Sequence, residues 1–84
     1  MIRVLFFARL ADLAKVREAE FSCADEGIVL SDLLAQVVQH YPSLEASLAQ
    51  PRLLFLAINQ EQAGLDAQVK DGDEVAIMPP FSGG

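Results

Sequence analysis

Residues 74–84 read Glu74-Val75-Ala76-Ile77-Met78-Pro79-Pro80-Phe81-Ser82-Gly83-Gly84. Glu74 to Met78 is apolar and β-prone, the pattern of a strand. Pro79 and Pro80 follow it directly and stiffen the exit, because proline fixes φ and favours an extended chain. Gly83 and Gly84 then remove every side chain beside the terminal carboxylate. The expected product is a thin, unbranched end able to enter a narrow slot on another protein. A terminal carboxylate has a pKa of about 3.3–3.7 and is ionised at neutral pH. Its oxygen can attack the α-phosphate of ATP in a partner's site and form an acyl-adenylate, which makes Gly84 the candidate reactive residue. A Gly-Gly end is also the composition of an ordinary disordered terminus. Attachment to a strand without a linker separates the two readings.

Upstream, Ile2 to Ala8 is a second β-prone run, with Ile2, Val4, Phe6 and Ala8 on one face and Arg3, Leu5, Phe7 and Arg9 on the other. Leu10 to Ala14 reads as a short helical turn or loop, and Arg17 to Ser22 as a strand that returns to form a hairpin. Ala24 to Gly27 is a turn. Ser31 is the expected N-cap of an amphipathic helix in which Leu33, Leu34, Val37, Val38 and Tyr41 recur at helical spacing, and Pro42 ends it. Leu44 and Leu48 fit a short helical extension. Leu53 to Ile58 is strand-like, Asn59 to Gln62 turns the chain, and Asp71-Gly72-Asp73 is a strong turn signal. The stretch from Ala63 to Val69 is ambiguous.

The element order is β-β-α-β-(short β)-β. One helix covers one face of a mixed sheet around a single core, and the apolar first and last strands belong at the sheet centre. This is an α+β architecture of the β-grasp, or ubiquitin-like, kind: a domain over residues 1–78 and a flexible Gly-Gly tail over residues 79–84.

At 84 residues the core is thin, and a net charge of −6 argues against nucleic acid and against an anionic membrane surface. The acidic balance suits docking on a basic protein partner. Cys23 is the only cysteine, which excludes an internal disulfide and a cysteine-built metal site. No signal-peptide pattern or bilayer-length apolar run is visible, and the cytoplasm is the expected location.

Nothing in the chain reads as an enzyme site by itself. His40, at the expected C-terminal end of the helix, has a favourable dipole position and no second histidine to work with. Asp71, Asp73 and Glu74 lack the ligand spacing of a calcium loop. The more informative feature is the sheet. With Ile2, Val4, Phe6, Leu54, Leu56, Ile58, Val75 and Ile77 facing the helix, the opposite face carries Leu5, Phe7, Leu53, Phe55, Ala57, Ala76 and Met78. An apolar outer face marks a binding surface, unless the Leu44–Leu48 segment or a loop folds over it. Met78 precedes Pro79, so a partner gripping Phe7, Phe55 and Met78 is placed to receive Gly84.

The segments Val4-Leu5-Phe6-Phe7-Ala8, Ala57-Ile58-Asn59-Gln60, Asp71-Gly72-Asp73-Glu74-Val75-Ala76 and Pro79-Pro80-x-x-Gly83-Gly84 occur in this order over the whole chain. In them the chain resembles the small subunits of molybdopterin synthase, a family of ubiquitin-like sulfur carriers. The resemblance implies that an activating enzyme similar to the E1 enzymes of ubiquitin conjugation adenylates Gly84 with ATP. A sulfur donor then forms a thiocarboxylate. It further implies that Pro79, Pro80, Phe81, Ser82 and Gly83 thread into the large catalytic subunit, where sulfur passes to a pyranopterin precursor in molybdenum cofactor biosynthesis. The family enzyme is a heterotetramer in which two loaded carriers serve each product. The small subunit is not catalytic alone and holds no cofactor or metal of its own. Phe81 and Ser82 depart from the smaller or β-branched residues often found there, a change expected in tail packing and not in chemistry.

Carriers for thiamine thiazole synthesis share the Gly-Gly end, but they are usually shorter and lack the Tyr41–Pro51 region and the paired prolines. A carrier for cysteine synthesis is a further alternative. A ubiquitin-like protein modifier, joined to a target lysine through Gly84, would use the same chemistry up to the adenylate. A passive interaction module would use only the outer sheet face.

Overall fold

A computed structural model of the chain describes residues 1–79. Its main sheet has strands β1 (Ile2–Phe6), β2 (Glu18–Phe21), β4 (Phe55–Ile58), β5 (Glu61–Gln62) and β7 (Glu74–Met78), in the order β2-β1-β7-β4-β5. β1 and β7 run parallel and the remaining pairs antiparallel. The first and last strands are flanked on both sides, as their apolar content predicts. The architecture is the expected α+β β-grasp.

Helices α1 (Arg9–Ala14), α2 (Leu30–His40) and α3 (Glu45–Leu48) lie on one side of the sheet. Ile2, Val4, Phe6, Leu56, Val75 and Ile77 from the strands pack with Leu10, Leu33, Leu34, Val37, Leu44 and Leu48 in one core. Leu54 and Ile58 are partly buried against it. Phe6 meets Tyr41 edge-on at 5.5 Å, and Phe21 meets His40 in the same way at 5.3 Å. His40 therefore has the structural role that its place at the end of α2 implies.

The structure corrects the sequence reading at several points. α2 starts at Leu30 and not after a Ser31 cap. The Leu30 and Ser31 N–H groups donate to the Ala67 and Leu65 carbonyls at 2.9 and 3.0 Å, so a distant loop satisfies the helix start and no side-chain cap is needed. That loop leads into β6 (Gln68–Val69), which pairs antiparallel with β3 (Ile28–Val29) in a second, two-stranded sheet. The ambiguous Ala63–Val69 stretch thus holds a strand too short to show a period. Leu53 belongs to a 3-10 turn over Pro51–Leu53 and not to β4. Asn59 to Gln62 is not all turn: Asn59 and Gln60 turn the chain, and Glu61 and Gln62 form β5. Leu44 and Leu48 lie in the core beside α2, so this segment does not cover the outer sheet face.

Candidate functional site

Strand register builds the outer face in rows. The first row is polar, with Glu20 opposite Arg3 and Arg3 opposite Glu74. The second runs Glu18, Leu5, Ala76, Ala57, Gln62. In the third, Phe55 lies opposite Met78. Phe7 continues β1 beyond the Phe6–Ile77 pair, and its N–H donates to the Ile77 carbonyl at 3.3 Å, which brings it to the same end of β7. The face therefore grades from charged to apolar along β7, towards Pro79.

Phe7 and Phe55 are each 42% exposed and Leu53 is 58% exposed, unusually open for large apolar side chains. Met78 and Pro79 are half-buried. The structure thus brings together Phe7, Phe55 and Met78, as the sequence predicts. Ala57 is corrected: at 5% exposure it is buried and adds nothing to the patch. Its methyl group, set between β7 and β5 and short beside Gln62, presents little surface to solvent. Pro80, Phe81, Ser82, Gly83 and Gly84 lie outside the described residues.

A groove adjoining Phe7 extends this surface over Leu5, Ala8 and Ala11, with Asp12, Arg17 and Glu18 at its rim. The sequence did not point to it, because α1 reaches the sheet edge only through the bend at Ala8, whose φ of 52° is rare for alanine.

The root of β7 is held by a second arrangement that the sequence registered only as turns. Asn59 and Gln60 both have positive φ, 51° and 71°, and join β4 to β5 in a two-residue hairpin loop of the primed kind. Asn59 tolerates this backbone and uses its side chain twice. Its Nδ2 donates to Asp73 Oδ1 at 3.0 Å, and its Oδ1 accepts from the Glu74 N–H at 3.0 Å. Asp73 Oδ2 accepts from the Lys70 N–H at 2.8 Å, closing a turn in which Gly72 takes φ 91°. The Lys70 N–H, and then the Asn59 amide, hold the Asp73 carboxyl below the usual range by favouring its charged form.

Arg3 crosses to Glu74 in a hydrogen-bonded ion pair and lies 3.8 Å from Glu18. The hydrogen bond that Arg3 donates to Glu74 and then the Glu74 charge raise the Arg3 pKa, with a smaller contribution from Glu18. These contacts set the register of β7 against β1 and β4. Among the described residues, no group of three or more His, Cys, Asp or Glu side chains is placed to hold a metal, and no helix is long and apolar enough to cross a membrane.

This arrangement can bind an apolar surface and hold the start of the tail against it. The comparisons place the chain among known proteins. The chain is 41% identical to the molybdopterin synthase sulfur carrier subunit of Chlamydomonas reinhardtii, over 99% of this chain and 98% of that one. Among solved structures, SAMP1 from Haloferax volcanii is 30% identical with a TM-score of 0.85, covering 99% of this chain and 98% of that one. The complex of subunits 1 and 2 of the molybdopterin-converting factor from Helicobacter pylori contains a chain 27% identical with a TM-score of 0.63, covering 99% and 97%. Residues 4–84 match the ThiS family model, and with a β-grasp core whose apolar outer row leads into the tail, the chain belongs to the ThiS family.

Proposed function

We propose that this chain is the sulfur carrier subunit of a molybdopterin synthase. The observation that carries the reading is the full-length likeness to a carrier subunit of that name, at 41% identity. The apolar row ending at Pro79 supports it from the side of the structure.

The proposed cycle has Gly84 as the reactive residue. In an E1-like activating enzyme, a Gly84 carboxylate oxygen attacks the α-phosphate of ATP, and pyrophosphate leaves. A sulfur nucleophile from a donor then displaces AMP from the acyl-adenylate. With a persulfide as that nucleophile, a thiol then cleaves the acyl disulfide, releasing the thiocarboxylate and leaving a disulfide on the donor side. Adenylation is needed because a carboxylate oxygen is a poor leaving group, whereas AMP is a good one. The thiocarboxylate sulfur, soft and polarizable, attacks a carbonyl-level carbon of the pyranopterin precursor inside the large subunit, and the oxygen displaced there leaves as water. Hydrolysis of the resulting acyl link leaves sulfur on the pterin and restores the Gly84 carboxylate. Gly83 and Gly84 put no side chain beside the reactive carboxylate, and proline at positions 79 and 80 restricts φ where the chain leaves β7.

Phe7, Phe55 and Met78 form the docking surface for the large subunit in a cytoplasmic heterotetramer. The chain has no chemistry alone; ATP belongs to the activating partner. A second reading is favoured by SAMP1, a small archaeal modifier protein of the same fold. On that reading Gly84 is joined to lysines of target proteins.

The intact mass after incubation with cell extract, ATP and a sulfur source tests both readings. Exchange of one oxygen for sulfur supports the carrier, and a ladder of heavier conjugates supports the modifier. Removal of Gly83 and Gly84 should abolish molybdoenzyme activity in cells that depend on this chain. Retained activity would overturn the carrier reading.

A further inference from the structure

The outer edge of β2 is an unpaired strand whose two outward-facing residues are both acidic. β1 and β2 are antiparallel with Val4 opposite Ala19, Arg3 opposite Glu20 and Leu5 opposite Glu18. The Phe6 N–H donates to the Arg17 carbonyl at 2.8 Å, so the Phe6–Arg17 pair is hydrogen-bonded. Alternation makes the Val4–Ala19 pair hydrogen-bonded as well and leaves Leu5–Glu18 and Arg3–Glu20 as the open pairs. The N–H and C=O groups of Glu18 and Glu20 therefore point away from β1. Among the described residues nothing hydrogen-bonds to them.

The other sheet edge, β5, has only two residues, so β2 is the longer template. The side chains of Glu18 and Glu20 stand on the outer face at this same edge. Arg3, the cation between them, hydrogen-bonds Glu74 and also lies 3.8 Å from Glu18, and Glu20 forms no ion pair among the described residues. Pairing with a second copy is disfavoured. An antiparallel dimer centred on Ala19 would set Glu18 against Glu20 twice, and one centred on either glutamate would oppose identical charges.

We infer that the β2 edge binds an extended basic peptide segment of another protein by strand addition. The ligand has lysine or arginine at alternate positions, with small apolar residues between. Its basic residues pair with Glu18 and Glu20 through backbone hydrogen bonds and, above the sheet, through charge. The intervening residue falls on the inner side, beside half-buried Ala19. β1 separates this edge from β7, so the peptide leaves Phe55, Met78 and the tail free. The proposal stands whether the chain is a carrier or a modifier.

The test uses the full chain, isotopically labelled for amide NMR, and an acetylated peptide of alternating lysine and valine. Binding should shift the Glu18 and Glu20 amides first and slow their hydrogen exchange. The same peptide with N-methylated lysine amides keeps every charge but cannot donate, and it should bind far more weakly. Loss of two cross-strand charge pairs in the Glu18→Lys/Glu20→Lys variant should weaken binding about tenfold. A glutamate–valine peptide should gain affinity for that variant. Equal binding of the N-methylated peptide, shifts centred on another surface, or no binding of the unmodified peptide at millimolar concentration would each overturn the inference.

Discussion

Phe55 and Met78 are register partners in the antiparallel pair of β4 and β7, one residue before the tail begins at Pro79. Because side chains alternate along a strand, this register sends both to the outer face, while Leu56 and Ile77 beside them enter the core. The exposed apolar row and the core are thus two sides of one pairing. A shift of one residue would exchange them and bury the row that leads to the tail.

Phe7 tests the docking row with least risk to the fold, since it is exposed. Phe7→Asp should weaken association with the large subunit of molybdopterin synthase by at least about tenfold, because a charge replaces an aromatic contact at an apolar surface. Its melting temperature should stay close to that of the parent. Calorimetric titration that finds unchanged affinity would remove Phe7 from the interface.

At the tail, a bulky replacement such as Gly84→Phe should stop thiocarboxylate formation by the activating enzyme. Stability should not change, as residues 80–84 follow the last strand of the core. Mass spectrometry of the treated protein reads the outcome. A sulfur-loaded variant would show that the tail needs no slender end.

The Asn59–Asp73 contact predicts a pH dependence. The folded-state pKa of Asp73 is lowered, so its contribution is present above the unfolded value of about 3.9 and is lost as pH falls through the folded value. Asn59→Ala should cost about 1 kcal/mol near neutral pH through the lost hydrogen bonds. Asp73→Asn should flatten the fall in stability below about pH 4. Urea unfolding across the acid range checks both. An acid limb as steep in Asp73→Asn as in the parent would place the sensitivity on another carboxylate.

Gln60 holds φ 71° where primed hairpin turns favour glycine. Gln60→Gly should relieve that strain and raise stability by about 0.5 kcal/mol after the entropic cost of glycine. Thermal unfolding should show a small upward shift. A downward shift would mean that the Gln60 side chain contributes more than its backbone costs.

Periodicity was readable wherever an element was long and one-sided. The apolar alternation in Ile2–Phe6 and Glu74–Met78 and the helical spacing from Leu33 to Tyr41 led to the core and the sheet centre. The same alternation disclosed Phe7, Phe55 and Met78 on the other face. Short elements were less visible. Two-residue strands such as Ile28–Val29 and Gln68–Val69 contain no period, and they exist because distant segments supply each other's hydrogen bonds.

The amino-acid order by itself determined which faces are apolar, where the helix stops at Pro42, and that a strand runs straight into a Pro-Pro exit. These are local properties of side-chain type and spacing. The tertiary structure alone decided that the Leu44–Leu48 segment joins the core and leaves the outer row open. It also decided that Asn59 ties the β4–β5 turn to the start of β7, and that carbonyls of the 65–67 loop cap α2 in place of Ser31. Each of these depends on contacts between residues far apart in sequence, whose partners are set by how the layers pack and not by local pattern.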